Sequence, residues 1–147
     1  AKPDFAAELR EVRTRLERSE SAHNLKTWVG GSYDIDYIAG MLQAQHGISF
    51  VGNLPERLCV LQEKNLLSEG HYQCLSESAR FLRTVEHIVR LVTGRARKWL
   101  PAAEHPRRSV QRLLWQNLQT RDSFDPEIQL AEVMRRTREL YLEYLGD

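Results

Sequence analysis

The sequence predicts an all-α protein, a bundle of five or six helices around one long central helix. Three observations lead there. Apolar residues recur at spacings of three and four along most of the chain, the period of a helix face. Gly and Pro are sparse, at 8 and 5 of 147 residues. No alternating run of β-branched residues is long enough to found a sheet, since Ile48 to Val51 is too short.

The elements follow in order. Phe5, Leu9, Val12 and Leu16 lie on one face of a first helix over 4–19, and the polar stretch 19–24 reads as a loop. Gly30-Gly31 breaks the regularity, and Ser32 is placed to cap a second helix that runs to His46, with Gly47 beyond its end. Asn53 and Pro55 open a third helix reaching about Asn65. Ser68 caps the fourth, where Leu75, Ala79, Leu82, Val85, Val89 and Val92 keep helical spacing until Gly94. A basic, Pro-containing connection over 94–106 leads to a fifth helix marked by Val110, Leu113, Leu114 and Leu118. Asp125-Pro126 is a cap followed by Pro at the first helical position, and Ile128, Ala131, Met134 and Tyr141 carry the sixth helix to Gly146.

Composition narrows the class. At 41% hydrophobic and 28% charged residues the chain is that of a folded globular protein, and its length suits one domain over 1–147 with one core. No apolar run approaches the roughly 20 residues that span a bilayer, so the expected location is cytoplasmic, with no membrane partner. Two cysteines are too few for a disulfide framework. Net charge is only +1 but uneven: residues 88–121 carry eight cations against the single anion Glu104, whereas 122–147 carry seven anions against three cations. This basic stretch, with Trp99 beside Arg95, Arg97 and Lys98, is the part that an acidic protein face, a phosphate or a nucleic acid would meet.

No complete active site is legible. Gly30-Gly31-Ser32-Tyr33-Asp34-Ile35-Asp36 invites comparison with nucleotidyltransferases that hold metal ions on an Asp-x-Asp pair after a Gly-Ser turn. On a strand residues i and i+2 face one way, but on a helix they lie about 200° apart, so Asp34 and Asp36 are not expected to share a metal. The Gly-Gly turn could still offer amides to a phosphate, with Lys26 as counter-charge. His71-x-x-Cys74 has ligand spacing without a second pair, so no metal site is expected. Glu86-His87 sits on the long helix within reach of Arg83 and Arg90, which suggests a salt-bridge network rather than an acid-base dyad. No Ser or Cys has a His and a carboxylate at motif spacing, so no catalytic residue is assigned.

Two motifs carry a resemblance. Lys26-x-x-x-Gly30-Gly31-x-x-Asp34-Ile35-Asp36-Tyr37-Ile38, followed by Gln43 and His46-Gly47, resembles the segment after the nucleotidyltransferase domain in glutamine-synthetase adenylyltransferases. A close relative of that segment occurs in the PII-uridylyltransferases. Ala79-Arg80-Phe81-Leu82-Arg83-Thr84-Val85-Glu86-His87, with Leu100-Pro101 downstream, looks like a second motif of the same helical domain. The likeness covers about 24–101. Tyr33 stands where the family has Arg and Trp28 where it has Gly, while Asp36-Tyr37 points to the adenylyl branch and Gly94-Arg95 to the uridylyl branch, so the branch stays open.

The resemblance implies a helical accessory or regulatory domain, not catalytic alone, in the control of nitrogen assimilation. ATP and Mg²⁺ would belong to a catalytic nucleotidyltransferase domain absent from this chain. The implied partners are that domain and, through the parent protein, glutamine synthetase and PII. The ligand or interface candidates are Lys26, Gly30, Gly31, Asp34, Asp36, Arg83, Glu86, His87 and Arg95. The alternative is a free-standing helical binding module that uses the basic segment on an acidic protein or, less favoured, a nucleic acid.

Overall fold

A computed structural model describes residues 4–19, 25–94, 101, 103–118 and 125–146. Among the described residues there are six helices and no strand: α1 (Asp4–Ser19), α2 (Ser32–Gln45), α3 (Leu54–Glu63), α4 (Glu69–Thr93), α5 (Glu104–Leu118) and α6 (Pro126–Leu145). No helix among them is long and apolar enough to cross a membrane.

The 25-residue α4 is the longest helix and packs against α2, α3, α5 and α6. Its ends are set locally. The Ser68 side chain accepts a hydrogen bond from the His71 amide at 3.2 Å, and Gly94 closes the far end. Between them Leu75, Phe81, Leu82, Val85, Ile88 and Val89 are buried, and they meet Ile35, Ile38 and Leu42 of α2 and Leu58 and Leu61 of α3 in one core cluster. The Asn53 cap of α3 and the Asp125 cap of α6 form as the sequence suggests, each side chain accepting a backbone amide of the first turn.

Three expectations are corrected. Val12 is not on the buried face of α1: it is 46% exposed, and the inward row runs through Phe5, Leu9 and Arg13 at steps of four, with Arg13 fully buried. Ile128, at 70% exposure, likewise faces outward, and α6 turns Leu130, Val133, Met134 and Tyr141 to the core. The connection after α4 is shorter than 94–106, because α5 begins at Glu104 and holds Pro106 in its first turn, where a missing N–H costs nothing. Of the loop expected over 19–24, Ser19 ends α1 and 20–24 lie outside the described residues, as does the segment that contains Arg95 and Trp99.

Candidate functional site: a cationic groove along the long helix

The turn over 25–31 is built before anything can bind near it. Gly30 has φ +79°, and a Cβ there would lie 2.0 Å from the Met134 carbonyl oxygen, so this glycine lets the turn press against α6. Gly31 has an ordinary φ of −76°, so no strained backbone requires a glycine there. It is needed for space instead, since a Cβ would meet the Leu25 carbonyl oxygen at 2.5 Å and that of Lys26 at 2.8 Å. Gly31, not Ser32, is the cap of α2, and no side chain caps it.

The turn's own carbonyls do the capping. The Ser32 amide donates to Leu25, that of Tyr33 to Lys26 and that of Gly31 to Trp28, while the Gly30 amide donates to Asp34 Oδ2 at 2.6 Å. These are the N–H groups that a phosphate on the Gly-Gly turn would need, and all four are already engaged.

Asp34 points into the protein, not to Lys26. Its Oδ1 accepts from Arg13 Nε at 2.7 Å, and Arg138 Nη1 lies 3.3 Å from both carboxylate oxygens. Arg13 and Asp34 are both fully buried, and the remaining Arg13 donors reach the carbonyls of Thr27 at 2.6 Å and Trp28 at 2.9 Å. Burial raises the Asp34 carboxyl above its ordinary range; the Arg13 charge, the Gly30 amide and Arg138 oppose that rise. Arg138 also contacts Glu17 at 2.6 Å and lies 4.4 Å from the centre of the Tyr141 ring. The network ties α1, the turn, α2 and α6 together.

Asp36 leaves α2 on another side. It pairs with Arg57 of α3 at 3.1 Å, and Arg57 Nε in turn donates to Gln43 at 2.8 Å, whose side-chain amide donates to the Phe50 carbonyl. The Asp36 side chain is paired within the fold and remains 42% exposed. The two carboxylates have separate partners, as helical spacing requires. Among the described residues no three His, Cys, Asp or Glu side chains group as metal ligands would.

Lys26, Arg83, Glu86 and His87 do come together. They line a groove of about 700 Å³ beside α4, with Leu54 and Pro55 of α3 on its opposite side. Lys26 Nζ lies 3.2 Å from Glu86 Oε1, so Glu86 pairs across to the turn and not with Arg83 or Arg90 along its own helix. Arg80 and Arg90, which the sequence reading did not place among the candidates, complete the cationic wall. Arg80, Arg83 and Arg90 are exposed and form no ion pair among the described residues. Their signal was available: Tyr72, Ser76, Arg80, Arg83, His87 and Arg90 recur at steps of four or three, one stripe of the helix. The basic stretch over 88–121 is less of a patch than its charge suggests, because Arg107 pairs with Glu127 at 2.7 Å and Arg108 with Glu104.

The chain matches the family described as GlnD PII-uridylyltransferase over residues 4–144. It belongs to that family. Over 96 residues it is also 31% identical to the bifunctional glutamine synthetase adenylyltransferase/adenylyl-removing enzyme of Mycobacterium marinum (strain ATCC BAA-535 / M), a match covering 60% of this chain. The matched stretch is 10% of that enzyme's length. Within the family member described above, the two segments that carry the likeness meet physically: Lys26 comes from the first and Glu86 from the second.

Proposed function

We propose that the chain is a helical accessory and regulatory module of a nucleotidyltransferase resembling glutamine-synthetase adenylyltransferase, working in the cytoplasm in the control of nitrogen assimilation. It does not transfer nucleotides alone. The observation that carries this reading is the family match over 4–144, which spans all six helices from the first residue of α1 to the last turn of α6. The chemistry of the chain is in keeping with it. Phosphoryl transfer needs carboxylates converging on metal ions that bridge the phosphates, whereas Asp34 and Asp36 are committed to Arg13 and Arg57 on different sides of α2. ATP and Mg²⁺ then belong to the nucleotidyltransferase domain with which this module works, and glutamine synthetase and PII are met through the parent protein.

The test is to incubate the purified chain with labelled ATP or UTP, Mg²⁺ and either glutamine synthetase or PII, with and without a separately supplied nucleotidyltransferase domain. No transfer is expected from the chain alone, and its addition should raise transfer by that domain. Transfer by the chain alone that disappears in a folded Asp36→Asn variant would overturn the proposal.

A further inference from the structure

The α4 stripe has more on it than charge. Next to the cationic groove, and sharing Arg83, Thr84 and His87 with it, is a second hollow of about 440 Å³ against α5, lined by Ile88, Leu91 and Leu113. Leu91 is 65% exposed there, one turn beyond His87, and Leu113 is half-buried. The two hollows make one continuous track along α4. From Tyr72 to Arg90 it is about 27 Å long at about 1.5 Å per residue. Three guanidiniums with no ion-pair partner among the described residues lie along it, and an exposed leucine marks one end.

We propose that this track docks an acidic amphipathic helical segment of a protein partner, with carboxylates along Arg80, Arg83 and Arg90 and an apolar side chain seated beside Leu91. Charge complementarity selects an anionic occupant. Length separates a polypeptide segment from a free nucleotide: cations at steps of three and seven residues are spread over about 15 Å, further than a triphosphate chain reaches, but they match the turns of a facing helix. The leucine at the end selects the same way, because phosphate groups gain nothing from Leu91 and Leu113 whereas an amphipathic helix can bury an apolar side chain against them. The inference rests on the accessory-module reading for the kind of partner, a protein domain, and on the groove itself for where that partner sits.

The experiment uses the full chain and a fluorescein-labelled helical peptide of about 18 residues, the length that matches the track. The peptide carries glutamates on one face and a single leucine near one end, and binding is followed by anisotropy at about 0.15 M salt. Arg83→Glu/Arg90→Glu should weaken binding at least tenfold and Leu91→Ser severalfold, with unchanged circular dichroism, since all three residues are exposed. Absence of peptide binding overturns the proposal. So does tighter binding of tripolyphosphate or single-stranded DNA that ignores Leu91→Ser, which would make the track a phosphate site. The transfer assay separates this inference from the role beneath it. If the parent chain stimulates the nucleotidyltransferase domain and the Arg83→Glu/Arg90→Glu variant does so equally, the docking surface is wrong and the role stands. If the parent chain does not stimulate at all, the role fails whatever the peptide does.

Discussion

Arg13 Nε lies 2.7 Å from Asp34 Oδ1, and neither side chain has any exposure to solvent. A buried pair of this kind is weak evidence for stability in itself, because its attraction is set against the cost of removing both charges from water. What it fixes is geometry, since one guanidinium holds the α2 carboxylate and two carbonyls of the glycine turn at once.

Removing one partner is therefore predicted to be costly. Asp34→Ala leaves Arg13 buried with its Nε donor unanswered and should destabilise by about 3–5 kcal/mol. Urea denaturation of Asp34→Ala, Arg13→Met and Arg13→Met/Asp34→Leu tests this. The double variant should recover much of the loss of the single Asp34 change; a double loss equal to the sum of the two single losses would mean that the pair is not coupled.

The same pair has a pH signature. Burial raises the Asp34 carboxyl above its ordinary 3.8, so the folded protein takes up this proton more readily than the unfolded chain. The contribution of Asp34 titration to stability is then fully present below the unfolded value and is lost as pH rises through the higher folded one. A carboxyl-carbon NMR titration should show a midpoint above 3.8 for Asp34. A midpoint below it would mean that the two guanidiniums outweigh burial.

The glycines are predicted to fail for different reasons. Gly30→Ala combines a positive φ with a Cβ driven into the Met134 carbonyl, and Gly31→Ala meets the carbonyls of Leu25 and Lys26 at an ordinary φ. Each should cost roughly 1–3 kcal/mol in strain, read as a lowered denaturation midpoint. Gly70→Ala is the control, since nothing lies within 4 Å of its Cβ position. It should leave stability unchanged or slightly raised.

The core position Leu82, 2% exposed on α4, was legible from spacing alone. Leu82→Ala should cost about 2–5 kcal/mol by calorimetry or urea, the range for a leucine removed from a packed core. A loss under about 0.5 kcal/mol would place the side chain outside the core.

What could be read from the sequence, and what could not, divides by the range of the interaction. The ends of α4 at Ser68 and Gly94, the Asn53 cap and the Asp125-Pro126 start of α6 are decided by residues within one turn, and each was visible in the sequence. Arg13 was not, because an arginine on a helix face reads as solvated until Asp34 and the carbonyls of Thr27 and Trp28, remote in the chain, are brought to it. Ser32 was the better side-chain cap by residue type, yet the amides it would serve are met by the carbonyls of a turn whose shape depends on packing against α6. At the site, Glu86 had two arginines at helical spacing and pairs instead with Lys26 from another element. The cationic stripe at 80, 83 and 90 needed only the helix period and could have been named in full.

The Lys26–Glu86 pair gives the last prediction, since it separates electrostatics of binding from stability. Its side chains are 45% and 26% exposed, so water screens the attraction and the pair should contribute no more than about 1 kcal/mol to folding. Glu86 is nonetheless the carboxylate that lines a groove with Lys26, Arg80, Arg83 and Arg90. Glu86→Gln keeps the shape and removes the negative charge, which leaves the denaturation midpoint nearly unmoved while the potential in the groove becomes more positive. The affinity of the labelled acidic peptide should rise a few-fold, and its fall with added salt should steepen, because the Glu86 charge no longer repels the ligand's carboxylates or offsets the cations around it. Isothermal titration of parent and variant at two salt concentrations decides it. A variant that binds no better, or that loses several kcal/mol of stability, would make Lys26–Glu86 a brace between the glycine turn and α4 and not a regulator of what the groove accepts.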